Sequence, residues 1–301
     1  MTENNGNAKN IRESDYVTVT QTGHVVEIQH MTRHNRKCSI QKIDADRYIL
    51  LETGEIFEFE KAETRAESEH SLRMTFKRLR YLVNNNFHGN KNELFITLTY
   101  AENMTDRERL YKDYEKFIKR LRYKLKLKTA DLDYLSVVEP QRRGAWHMHV
   151  LLRFNSQKSA YLPSKQLEDI WGHGFVKVRR IEGVDNLGAY LTAYLADIEV
   201  PTEFDNLREI EKLQGREIVY KEIEGERKAV VKGGRLWRYP PGMNLYRSSK
   251  GVVPPERHEM LYKDIKKVVG SGKPHYRKSF TFEREDFKNT ITYEQYNLKR
   301  D

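Results

Sequence analysis

The chain has 301 residues, 38% of them hydrophobic and 33% charged, which suits one large or two medium domains with a very polar surface. Its 54 Lys and Arg against 44 Asp and Glu give a formal charge of +10, which favours a polyanionic partner such as nucleic acid, with a solvated basic surface as the plain alternative. A lone cysteine, Cys38, excludes an internal disulfide framework and a Cys-rich zinc site, and no apolar signal segment or run of ~18 apolar residues occurs, so a cytoplasmic protein is expected.

Residues 1–15 are polar and are expected to be disordered. Residues 16–60 read as short strands, YVTVTQTGHVVEIQH and then RYILLETGEIFEFE with a Thr-Gly turn. Residues 62–86 carry helical spacing at Leu72, Phe76, Leu79 and Leu82. An N-terminal β-rich accessory region over 16–90 is therefore expected.

The pattern over 91–200 predicts a core. Leu94 to Tyr100 (LFITLTY) is a strand, and Thr105 to Glu108 form a capping box opening a helix that buries Leu110, Tyr114, Phe117, Ile118, Leu121 and Leu125. Tyr134 to Val138 is a second strand, and a turn through Pro140 and Gly144 leads to a third, Trp146 to Phe154. A short helix follows from Pro163-Ser164 to Trp171, then a strand over Gly174 to Arg180 and a helix from Asp185 to about Ile198. This order predicts an α+β fold, an antiparallel sheet with helices on one face in a split βαβ arrangement. Residues 201–301 form a C-terminal extension whose segment from Arg227 to Lys250 has seven Lys and Arg and no acid, interleaved with Trp237, Tyr239 and Tyr246. A helix near 256–269 and a strand near 275–283 complete the chain.

Two groups bear chemistry. In the third strand Trp146, Met148, Val150 and Leu152 form one face, read as core. His147, His149, Leu151 and Arg153 form the other, read as open. Two imidazoles side by side with Glu139 upstream suit Mn²⁺ or Mg²⁺ with positions left for substrate. Strict alternation puts Glu139 with Leu135 and Val137, so it is expected past the strand end or beyond a bulge, with Gln141 as the substitute third ligand. Histidines without metal, and a turn carboxylate paired with Arg142 or Arg143, are the plain alternatives. On the later helix Tyr190, Tyr194 and Asp197 fall at i, i+4 and i+7, beside an apolar stripe of Leu187, Leu191, Leu195 and Ile198. Two phenols and a carboxylate then face a common site, unless both tyrosines only pack.

Three blocks in this order, Phe95 to Tyr100, Glu139 to His149 with His147-Met148-His149, and Tyr190-x-x-x-Tyr194, resemble the rolling-circle replication initiators of phages and plasmids within the HUH endonucleases. The resemblance covers roughly 95–198. It implies metal-dependent, site-specific nicking and joining of single-stranded or hairpin origin DNA in a bacterial host. His147, His149 and Glu139 would hold the metal, and a 5′-phosphotyrosyl link would leave a 3′-OH primer. The lysine that the family often carries three residues after its tyrosine is replaced here by Ala193 and Asp197, so Asp197 is a candidate in its place. No P-loop occurs, so host helicase and polymerase are expected partners. DNA contacts are expected from Arg142, Arg143, Arg235, Trp237, Arg238, Arg247 and Lys250, and the basic stretch 112–128 is either a phosphate rail or a solvated face. A related tyrosine transposase or relaxase, and a non-catalytic RRM-like nucleic-acid-binding protein, are the alternatives.

Overall fold

The computed structural model describes residues 10–33, 39–44, 46–59, 69–141, 143–181, 186–199, 218–223, 226–231, 233–240, 242–284 and 287–299. The first nine residues, part of the segment expected to be disordered, lie outside these. The chain divides into two units, one built from both ends, 1–62 with 255–301, and one from the centre, 63–254. Among the described residues no helix is long and apolar enough to cross a membrane.

In the first unit β1 (Tyr16–Thr22) and β2 (Val25–Met31) form a hairpin. Their sheet is completed by strands from the far end of the chain, in the order β14-β1-β2-β16-β15, with β14 at Arg257–Leu261, β15 at Tyr276–Arg284 and β16 at Phe287–Asn297. Val17, Val19, Val26 and Ile28 meet Ile265, Val269 and Tyr296 in its core. A separate small sheet holds β3 (Ile40–Lys42), β4 (Arg47–Leu50) and β5 (Ile56–Glu58). Two expectations change here. The helix near 256–269 is instead β14, a 3-10 turn at Tyr262–Ile265 and a four-residue helix, α5 (Lys266–Val269). The reason is tertiary, since the edge of β1 takes residues 257–261 as a partner. The boundaries expected at 90 and 200 also differ from this division. Pairing of β16 with β2 joins the chain ends, and α1 (Glu69–Asn86) packs with the core.

The central unit realises the split βαβ pattern. Its elements run β6 (Glu93–Thr99), α2 (Arg107–Lys124), β7 (Leu132–Pro140), β8 (Trp146–Phe154), α3 (Ser164–Trp171), β9 (Val176–Arg179) and α4 (Leu187–Ala196). The sheet order is β13-β7-β8-β6-β9, antiparallel throughout, with β13 (Tyr246–Ser248) added at one edge. Each helical crossover thus skips the strand between its two partners. A short three-stranded sheet follows, order β10-β12-β11, from β10 (Ile198–Glu199), β11 (Ile218–Ile223) and β12 (Glu226–Val231). Helix α2 starts from Asp106, whose carboxylate accepts the N–H groups of Glu108 and Arg109, so Asp106 takes the capping position expected of Thr105.

The α+β class and the antiparallel sheet are as expected, but the sheet has no open face. On one side Ile96, Leu98, Met148, Val150 and Leu152 pack under Leu110, Phe117 and Leu121 of α2 and Leu167 and Trp171 of α3. On the other, Leu135, Val137 and Leu151 pack under Leu79, Leu82 and Val83 of α1 and Leu187, Leu191 and Leu195 of α4. Helix α1 also holds the start of α4. Its buried Asn84 accepts the Gly188 N–H at 2.7 Å and donates to the capping side chain of Asn186 at 2.9 Å.

Gly188 permits this approach, because a Cβ there would lie 2.6 Å from the Arg80 carbonyl oxygen. Gly188→Ala is expected to loosen α4 from α1 and cost about 1–3 kcal/mol, measured as a lowered urea midpoint. A midpoint equal to that of the unaltered chain would show that the two helices are not in close contact.

Candidate active site

Register builds the site. Thr97 and Val137 flank His149, and Thr99 and Glu139 flank His147. Residues directly opposite in an antiparallel sheet share a face. Glu139, His147 and His149 therefore lie on the same side as Leu135, Val137 and Leu151, the side that α1 and α4 cover. No bulge or strand end is needed to bring Glu139 there, because β7 stays in register through Pro140. The expectation of a displaced Glu139 came from treating apolar neighbours as the mark of the other face. Both faces are apolar here.

Glu139 reaches diagonally across the ladder to His149, with Oε2 2.5 Å from Nε2. The Thr97 hydroxyl lies 3.0 Å from Nδ1 of the same ring. The ring of Phe95 stacks on that of His149 at 5.6 Å, and the second carboxylate oxygen of Glu139 pairs with Arg235. His149 is only 2% exposed, and burial, with Arg179 nearby, pushes its pKa down to about 3. Burial, then His149 and Arg143, lowers that of His147 to about 4. Both rings are therefore neutral near pH 7, the form in which imidazole ligates a metal. Neutral His149 has one N–H, directed to the carboxylate, so its Nδ1 accepts from Thr97.

The residues fit a divalent metal by one structural observation. The buried Nε2 of His147 has no hydrogen-bond partner. A second imidazole and a carboxylate stand beside it, the rings of His147 and His149 lying 6.4 Å apart at 81°. Among the described residues no three such side chains form a ready-made metal cage. A cation here would take the place of the His149–Glu139 hydrogen bond. Gln141 lies past the strand and accepts from Arg143 Nε at 3.1 Å.

Helix α4 lies on this face through Leu187, Leu191 and Leu195, and Tyr190 is 45% exposed. Positions 190 and 194 are one turn apart on α4, and the side chain of Tyr194 is outside the described residues. Asp197 is not on the helix. It ends α4 with extended backbone, and its carboxylate accepts the Gly233 N–H at 2.8 Å. That bond anchors the segment carrying Arg235. Tyr239, on the same segment, was missed as a site residue. Its hydroxyl lies 3.0 Å from the Val138 carbonyl and 3.2 Å from that of Leu195, joining the residue before Glu139 to the residue after Tyr194. At 1% exposure it offers no stacking surface for DNA, and Tyr246 packs on the α1–α4 core. Only an aromatic within a short Gly-flanked segment hinted at Tyr239.

The other expected DNA contacts are dispersed. Arg143 is exposed in the turn, Arg238 is half-buried at the end of a 3-10 turn (Leu236–Arg238), and Lys250 is exposed beyond β13. Arg247 pairs with Glu115 at 3.0 Å. Arg142 and the side chain of Trp237 lie outside the described residues.

The lowered histidine pKa values set a pH dependence for metal-free protein. Below pH ~6.5 the unfolded chain takes up protons that folded His147 and His149 refuse until about pH 4 and 3, so stability falls as the pH is lowered through this window. Urea titrations in a chelator near pH 7 and near pH 5 are expected to show a smaller fall in His147→Asn than in the unaltered chain.

Comparison with known proteins bears on this geometry. No curated protein matches the chain. Residues 93–199 match the family model of the replication-associated protein ORF2. The matched stretch runs from the first residue of β6 to the last of β10 and contains both histidines, Glu139 and α4. This similarity is consistent with a rolling-circle replication initiator and supports a role in starting DNA replication, with DNA as the partner.

Proposed function

We propose that the central unit nicks and rejoins single-stranded DNA at a replication origin, using a tyrosine of α4 and a divalent metal, Mn²⁺ or Mg²⁺, held by His147, His149 and Glu139. The observation that carries this reading is the Thr97–His149–Glu139 row beside the unpartnered His147 Nε2, on the sheet face covered by the tyrosine helix. A bound metal supplies Lewis-acid polarisation of the scissile phosphate and neutralises its developing charge.

The chain's own residues do the rest. Burial keeps both imidazoles neutral and their lone pairs available. When Nε2 of His149 serves as a ligand its proton resides on Nδ1, which then donates to Thr97 Oγ1. Thr97 can accept as well as donate, so it orients the ring in either tautomer. Arg235 holds one oxygen of Glu139 and leaves the other toward His149, and Asp197 acts by anchoring the Arg235 segment. The oxygen of Tyr190 or Tyr194 attacks phosphorus in line. The Oη–P bond forms, the bond to the 3′ oxygen breaks, and that oxygen leaves as a 3′-OH. The 3′-OH primes a host polymerase behind a host helicase. Attack by the second tyrosine or by a 3′-OH restores a phosphodiester without a nucleotide cofactor, because the phosphotyrosyl link conserves the bond energy. A transposase or relaxase would use the same chemistry on another element. An RRM-like binding sheet has less support, because such a module displays aromatics on an exposed face and α1 and α4 cover this one.

Incubation with Mn²⁺ and single-stranded origin DNA is expected to give a covalent protein–DNA adduct that disappears in Tyr190→Phe/Tyr194→Phe and in His147→Ala. Tight binding of the correct DNA without any adduct would sink the enzyme reading. Thr97→Val is expected to weaken Mn²⁺ binding by about 10–100-fold, read by titration calorimetry. Unchanged affinity would remove Thr97 from its positioning role.

A further inference from the structure

On the opposite side of the central sheet, between α2 and the edge strand β13, lies a cleft of 580 Å³. Tyr114, Lys119 and Arg122 come from α2, Tyr134 from β7, and Arg247 and Ser248 from β13. None of them belongs to the histidine site, because Tyr134 and Tyr114 pack with the α2–α3 core. The volume falls in the range of about 300–1,000 Å³ typical of small-ligand pockets, far more than a lone phosphate fills.

Two features mark the cleft as a binding site. The first is unpaired polar atoms in its wall. Tyr114 is 2% exposed, yet its hydroxyl has no hydrogen-bond partner, and the buried Nε of Arg122 has none either. The Ser136 hydroxyl lies beside Tyr114 without hydrogen-bond geometry and is 3.4 Å from the Arg247 carbonyl. Orphaned buried donors cost about 1–3 kcal/mol each, so a ligand that satisfies them recovers that cost. The second is the mixture of charge and rings. Three cations face one acid, Glu115, which Arg247 already pairs. The Arg122 guanidinium sits 5.9 Å over the Tyr134 ring, and Tyr114 meets Tyr134 edge-on at 5.9 Å. Cations for a phosphate beside aromatic faces for a base is the combination that binds single-stranded nucleic acid. The row Lys112, Lys116, Lys119, Arg120 and Lys124 is exposed along the same helix, leading to the cleft.

We propose that this cleft binds one nucleotide, its phosphate at Arg122 and the Tyr114 hydroxyl and its base against Tyr134, as a second DNA contact on the sheet face opposite the histidines. The choice of DNA over a free nucleotide rests on the function proposed above. The shared chemistry is a base with a 5′-phosphate, and the test separates the two sources.

The full chain is titrated with a fluorescein-labelled single-stranded oligonucleotide over a salt series, and dTMP binding is followed separately by calorimetry. Tyr114→Phe/Arg122→Gln is expected to weaken oligonucleotide binding about tenfold and to reduce the slope of log K against log salt by about 0.7, one phosphate contact on a single strand. Tyr114→Phe alone, which leaves charge and volume nearly unchanged, is expected to weaken it about threefold. Lys124→Gln, exposed on α2 but outside the cleft, is expected to have less effect than either. Equal losses in Lys124→Gln and the double variant would mean a diffuse basic face and overturn the proposal, as would unchanged binding in a double variant whose thermal melt shows it folded. Loss of dTMP binding with oligonucleotide binding intact would assign the cleft to a free nucleotide and overturn its role as a DNA contact. Because these readings are equilibrium binding, they stand or fall separately from covalent adduct formation.

Discussion

A buried ionisable row in an apolar sheet face is the constraint around which the central unit is arranged. His149 lies between Thr97 and Glu139, and Glu139 in turn meets Arg235. Removing such groups from water is unfavourable unless each is hydrogen-bonded or paired, and in low dielectric a satisfied network is correspondingly rigid. Three strands must keep their register for it to form, because a one-residue slip of β7 would turn Glu139 to the α2 side. The apolar residues of α1 and α4 that seal the row also depress the histidine pKa values. Burial is therefore the device that keeps both imidazoles unprotonated.

The same row explains why a distant segment returns to the sheet. Arg235 and Tyr239 come from the stretch whose alternating cations and aromatics resemble a nucleic-acid surface. The fold places both in the interior. Tyr239 joins the Val138 and Leu195 carbonyls, and Asp197 fixes the loop through Gly233. One short segment thus couples the strand that ends in Glu139 to the helix that bears the tyrosines. Their relative placement depends on hydrogen bonds among buried groups rather than on side chains free in solvent.

Charge is distributed as unevenly as chemistry. Residues 63–254 carry 35 Lys and Arg against 26 Asp and Glu, whereas the two chain ends together carry 19 against 18. The basic excess therefore belongs to the unit that holds the histidines. Within it the cations are not confined to the histidine face, since α2 presents a basic row on the far side of the sheet. A DNA strand contacting both faces would gain affinity from phosphates well away from the reacting one, with little effect on the chemistry.

By itself the sequence determined what short-range periodicity can determine. The bounds of β8 and α3, the buried stripe of α2 and the apolar stripe of α4 all follow from side-chain spacing, and the strand–helix order implied the split βαβ topology. The pairing of His147 with His149 on one face follows from the two-residue repeat of a strand. Tertiary structure alone decided which surfaces were covered. That α1 and α4 close the histidine face, that Glu139 lies there without a bulge, that Arg235 points to a carboxylate and Tyr239 to two carbonyls, and that residues 257–261 pair with β1 as a strand, are all contacts between residues far apart in the chain. Local pattern records whether a side chain prefers to leave water. It does not record which distant element will exclude the water, and at this site that exclusion sets both the charge state of the histidines and the partners of the carboxylate.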